Sequence, residues 1–171
     1  MIIFGIDPGV SGAISVLRYK KIIEVYEMPT MIDGKKNKRQ VNGAEVTNIF
    51  LKEIKNQQQK ELDNEQTFAD SAKVAVEHVT AMPGQGVTSM FNFGQSFGAI
   101  KGICAALKLP IYFVRPTKWK KHFNLIKTNK DASRTKVIEV YPTISGKLSR
   151  KKDSNKADAI LIARYFNDTQ L

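Results

Sequence analysis

Met1-Ile-Ile-Phe-Gly-Ile-Asp-Pro-Gly-Val-Ser-Gly-Ala-Ile-Ser-Val-Leu17 is the stretch on which the fold turns. Ile2 to Ile6 is apolar except for Gly5, the pattern of a strand buried on both faces in the middle of a sheet. Asp7 stands where that strand leaves the core. Pro8 biases Asp7 toward an extended backbone, and Gly9 is free to take the positive φ of a tight turn. The chain is therefore expected to reverse and resume as a second strand from Ala13 to Leu17, leaving a carboxylate at the base of the hairpin. Alone, such an acid is most simply a turn residue that caps backbone donors.

Outward from the hairpin, Ile22 to Met28 reads as a third strand completing an antiparallel meander. Pro29 to Gln40 reads as an exposed basic loop. Val46, Ile49, Phe50 and Ile54 recur at helical spacing, and the polar run from Lys55 to Asp70 is expected to end that helix. Ser71 to Val79 is a fourth strand in which Ala75, Glu77 and Val79 share one face and Val74, Val76 and His78 the other. Glu77 thus ends its strand as Asp7 ends the first. A helix follows from Thr88 to Leu107, with Gly94 and Gly98 forming a flat face suited to close packing against the sheet or a second copy of the chain. Leu109 to Val114 is the fifth strand. Short helices are expected after Pro116, carrying Trp119 and Phe123 as core anchors, and from Asp131, as cap, to Tyr141. The last helix, Ala157 to Phe166, puts Asp158 in its first turn on the face that also carries Leu161 and Ile162.

The length of 171 residues fits one domain around one core. One cysteine excludes an internal disulfide, and with two separated histidines it cannot make a usual structural zinc site. Any metal should be a hard cation on carboxylates. The chain has no stretch long and apolar enough to span a membrane and no signal-peptide pattern at Met1, so a cytoplasmic protein, of a bacterium or a phage-infected cell, is expected. Residues 1–100 carry 11 basic and 11 acidic side chains, whereas residues 101–171 carry 16 and 5. A charge excess confined to the last third suits a polyanion bound on one side, with nucleic acid foremost. The candidates for phosphate contact are Lys118, Lys120 and Lys121 around Trp119, then Lys147, Arg150, Lys151 and Lys152.

If the first and fourth strands are neighbours, Asp7, Glu77 and Asp158 converge at one end of the sheet, where open α/β sheets place ligands. Like charges so close oppose folding unless a cation neutralises them. Two Mg²⁺ ions, with Mn²⁺ as a substitute, are the expected solution, and their chemistry on such a site is phosphodiester hydrolysis.

Ile-Asp-Pro-Gly-Val-Ser-Gly-Ala at 6–13, Val-Glu-His-Val at 76–79 and Lys-Ala-Asp-Ala-Ile-Leu-Ile-Ala at 156–163 resemble, in order and spacing, the signature blocks of RuvC-type Holliday-junction resolvases. The segment Pro116 to Lys120 is similar to one found in the phage-encoded members. The resemblance implies an RNase H-like α/β fold, with a mixed five-stranded sheet flanked by helices. It also implies a homodimer making paired Mg²⁺-dependent nicks in four-way DNA junctions, with forks and flaps as further candidate substrates, and Asp7, Glu77 and Asp158 as metal ligands. Bacterial members carry Asp or His where Asn155 stands, so Asp153 is the replacement candidate, against a simpler role as helix cap. They also carry a junction-opening aromatic where Thr80 stands, leaving Met82 or Phe91 as substitutes.

Three other readings compete. An ATPase of the actin and sugar-kinase type needs a second Asp-x-Gly hairpin, which this sequence lacks. An RNase H-like nuclease for flaps or RNA hybrids uses the same acids. A non-catalytic branched-DNA-binding module has no use for converging negative charge beside DNA.

Overall fold

The structure, a computed structural model, describes residues 1–34, 38–60, 72–78, 80, 84–129 and 131–170. The meander forms as read: β1 (Ile2–Asp7), β2 (Ala13–Arg18) and β3 (Lys21–Glu27) pair antiparallel. The next two segments differ from their reading. After Pro29 comes a small hairpin, β4 (Thr30–Ile32) against β5 (Arg39–Val41), where the sequence reads as a loop. The helix that follows, α1 (Gly43–Lys60), runs past Ile54 because Gln and Lys propagate a helix well without apolar partners, and Asn42 caps its first turn through Glu45 N–H at 3.2 Å.

Strand β6 (Ala72–Glu77) then lies parallel to β1, and β7 (Ile111–Val114) parallel to β6, giving a five-stranded mixed sheet in the order β3-β2-β1-β6-β7. The long helix α2 (Val87–Ala106) joins them. Three further helices follow: α3 (Pro116–His122), α4 (Ala132–Val140) and, after two 3₁₀ turns at Pro142–Leu148 and Lys151–Asp153, α5 (Ser154–Gln170).

Alternation along the strands builds a core on each side of the sheet. Phe4, Ile6, Val74 and Val76 pack with Phe50, Ile54, Ile100 and Cys104 of α1 and α2. Ile3, Leu17 and Ala75 pack with Trp119, Val137, Leu161 and Phe166 of α3, α4 and α5. Gly5 is explained by that second layer. A Cβ there would lie 2.2 Å from the Ala159 carbonyl oxygen and 2.6 Å from the Ala163 Cβ, so a side chain is excluded by the helix lying on β1. The buried Ser15 hydroxyl donates to the same Ala159 carbonyl at 2.8 Å. Helix α5 is thereby fixed to β1 and β2 along the turns that carry Asp158.

Candidate active site

Asp7 and Glu77 are the last residues of adjacent parallel strands, and Asp158 looks onto the same end of the sheet from α5. The sequence places all three there, with one correction. Helix α5 begins at Ser154, so Asp158 lies beyond its first turn, one residue before the Ala159 that packs over Gly5 of β1. The turn after Asp7 also differs in detail. Gly9 keeps an ordinary backbone and accepts a hydrogen bond from Gly12 N–H at 2.8 Å; Gly12 is the obligatory glycine, since a Cβ there would meet the Asp7 carbonyl oxygen at 2.0 Å.

The acids feel one another. Burial, then the charges of Glu77 and Asp158, push the Asp7 carboxyl up to about 7, against a smaller opposing pull from the Gly9 N–H and Lys120. Burial also raises Glu77, with the Trp119 hydrogen bond opposing it and Asp158 adding to it. Burial raises Asp158 in turn, while the Ser133 hydroxyl and Lys120 work the other way. Buried Oδ1 of Asp158 has no hydrogen-bond partner among the described residues. A buried carboxylate oxygen left unpaired is costly. Among the described residues no group of three or more His, Cys, Asp or Glu is arranged as a finished metal site. The three acids thus share a field without closing on a common point. Their hard oxygen donors, mutual repulsion and orphaned oxygen fit divalent cations such as Mg²⁺ or Mn²⁺.

Asp153 does not join them. It is almost fully buried, and its carboxylate accepts from Arg150 N–H at 2.8 Å, Arg150 Nη2 at 2.9 Å and Lys156 Nζ at 3.0 Å. Arg150 holds the acid well below the usual carboxylate range, with Lys156 assisting. It closes a capping box in the 3₁₀ turn before α5, with Arg150 at the cap position, so its oxygens are engaged by Arg150 and Lys156 and not turned to the three acids. Asn155 is structural too, donating from Nδ2 to the Ser11 carbonyl at 2.6 Å and tying α5 to the β1–β2 turn.

The basic candidates divide. Lys152 lines a cleft of about 350 Å³ with Asp158, Lys120, Ser133 and Asn155. Lys151 and Lys121 are exposed. Lys147 pairs with Glu24, and Arg150 with Glu27 as well as Asp153, so both are partly neutralised by their own fold. Lys118 faces away, into a groove with Tyr112, Phe113 and Phe166 on the far side of α3. Met82 lies outside the described residues. Trp119 is the addition, and Lys120, expected only as a phosphate contact, has a second place: among the described residues Lys120 is the cation that acts on all three acids, and Trp119 Nε1 donates to Glu77 Oε1 at 2.9 Å. A signal for both lay in Trp119-Lys120 itself, a core anchor followed one residue later by a cation at the rim of the buried face.

An α/β sheet in this order, with an antiparallel meander, two parallel strands and a helix across β1, is an RNase H-like fold. Comparison with one solved structure agrees. RuvC of T. thermophilus in complex with a Holliday junction substrate aligns over 98% of this chain and 95% of its own, at 18% identity and a TM-score of 0.53. A second Thermus thermophilus RuvC structure covers 99% of this chain and 97% of its own at 17% identity, with a TM-score of 0.49. No family model matches the chain, and no curated protein matches its sequence.

Proposed function

We propose that the chain is a metal-dependent endonuclease for branched DNA that resolves four-way junctions by paired nicks as a homodimer. The observation that carries this reading is the meeting of three largely buried, mutually repelling acids on β1, β6 and α5, in a fold that RuvC uses on a Holliday junction. Asp7, Glu77 and Asp158 would hold the cations, Mg²⁺ in the cell. When bound, divalent cations at such a site supply a water nucleophile of lowered pKa and neutralise the charge that develops on the leaving oxygen.

The chain's own groups do the rest. Lys120, beside the acids, attracts the scissile phosphate into a site that would otherwise repel it. Lys152, one wall of the same cleft, and the exposed Lys151 and Lys121 hold the backbone on either side. Asp153 and Arg150 set the start of α5 and hence the depth of Asp158. The dimer is supported by α2, where Gly94, Gly98 and Gly102 at four-residue spacing open onto empty space and Phe91 is exposed.

Cleavage of a synthetic four-way junction, labelled on each strand in turn, tests the reading, with Mg²⁺ and with Asp7→Asn as control. Symmetric nicks in opposing strands, lost in Asp7→Asn while binding persists or tightens, are expected. Cutting only of flaps or RNA hybrids moves the protein to another branch of the same fold. Binding without cutting makes it an architectural module.

A further inference from the structure

We infer that Trp119 is a positioning residue, whose indole restrains the Glu77 carboxylate beside Asp7 and Asp158 and seats Lys120 next to it; this rests on the reading of the three acids as metal ligands. Trp119 is fully buried on the α5 side of the sheet, yet its only polar side-chain atom is spent on Glu77 Oε1 at 2.9 Å. A core tryptophan needs a partner for its N–H, and a backbone carbonyl serves as well as any. Here the partner is an acid at the end of β6 with like charges on two sides.

That choice has a mechanical consequence. Glu77 has more rotatable bonds than Asp7 or Asp158 and is the least enclosed of the three, so repulsion would swing its carboxylate outward in the absence of cations. The indole donates to one oxygen, and among the described residues the second accepts no hydrogen bond and is open to ligate. Burial of the ring fixes the donor, because Trp119 packs in the cluster that contains Val114, Leu161 and Phe166. The face of the same ring carries the Lys120 ammonium, 5.3 Å from its centroid. One rigid side chain therefore sets the place of a ligand through its edge and of a cation through its face. The same division recurs in function: ligating groups must be held within a fraction of an ångström by neighbours that are themselves locked.

Trp119→Phe keeps an aromatic ring in the core and removes the N–H. The full chain, without DNA, is titrated with Mn²⁺ by calorimetry, alongside Glu77→Gln and the double variant. A folded Trp119→Phe should bind Mn²⁺ about 10- to 100-fold more weakly, the usual loss for a group that orients a metal ligand. In the Glu77→Gln background the same change should add nothing, since its route is gone. On a junction, turnover at saturating DNA should fall while DNA affinity stays, and excess Mn²⁺ should recover part of the rate. Trp119 is the single tryptophan, so its emission gives a direct signature: a saturable change with Mn²⁺ in the wild-type chain, shifted to higher concentration by Asp7→Asn.

Trp119→Phe with wild-type Mn²⁺ affinity and turnover overturns this role and leaves the reading of the site intact. Equal, additive losses in the Glu77→Gln background also overturn it, because they mark a packing effect. A wild-type chain that neither binds Mn²⁺ nor cuts DNA overturns both. If Trp119→Phe does not fold, the double-mutant comparison is made with Trp119→Met, which keeps an apolar side chain and carries no N–H or O–H donor, with the same expectations.

Discussion

Asp7 shows how far one residue's environment can depart from its reading in isolation. A turn aspartate should sit near the usual carboxylate range; this one is pushed up to about 7 by burial and by Glu77 and Asp158. Because the folded state binds its proton more tightly than the unfolded chain, stability from this group is full below about pH 4 and is lost as pH rises to 7. The span from 3.8 to about 7 corresponds to a loss on the order of 4 kcal/mol. In chelator, Asp7→Asn is therefore expected to melt higher than wild type at pH 8 and alike near pH 4. Mn²⁺ should raise the wild-type melting temperature at pH 8 far more than the mutant's. Melting curves at the two pH values check this, and a gap that does not change with pH would count against it.

At the scale of elements, the decisive contact is α5 on β1. Asp158 reaches the site only because Gly5 lets the helix lie against the strand and Ser15 bonds the Ala159 carbonyl. Gly5→Ala should cost at least the roughly 1–3 kcal/mol of an overpacked core, since the atom in its way is backbone rather than a side chain that can turn aside. Thermal unfolding measures that cost. Mn²⁺ affinity should fall along with it, because the helix carries the ligand when it moves. A Gly5→Ala protein that is destabilised but binds Mn²⁺ normally would show that α5 yields without moving Asp158.

For the whole molecule, the basic excess is not uniformly available. Lys147 and Arg150 already face Glu24 and Glu27, whereas Lys151 is exposed and Lys152, although within 3.7 Å of Glu27, keeps a largely exposed side chain that reaches the cleft. Replacing Lys151 and Lys152 with alanine should reduce the slope of log affinity against log salt by about 1 for each phosphate no longer neutralised, across all DNA sequences. Lys147→Ala should reduce it less, since a counter-charge from β3 is released at the same time. Binding titrations at several salt concentrations separate the two; equal effects would mean that DNA displaces Glu24.

The five strands of the main sheet and the strand ends that carry Asp7 and Glu77 were legible along the chain, because period-two alternation and an apolar run broken by Asp-Pro-Gly are local signals; the short β4–β5 hairpin, with no such pattern, was not. Asp158 was marked as well, through its place before Leu161 and Ile162. What the remaining polar groups do was settled by packing in three dimensions. Asp153 belongs to Arg150 and Lys156, Asn155 to Ser11, and Lys118 to a different groove from Lys120 two residues on. Trp119 and Glu77 are 42 residues apart and bonded at 2.9 Å. Partnership between distant polar side chains depends on distance and direction after packing, and no periodicity along the chain encodes either one.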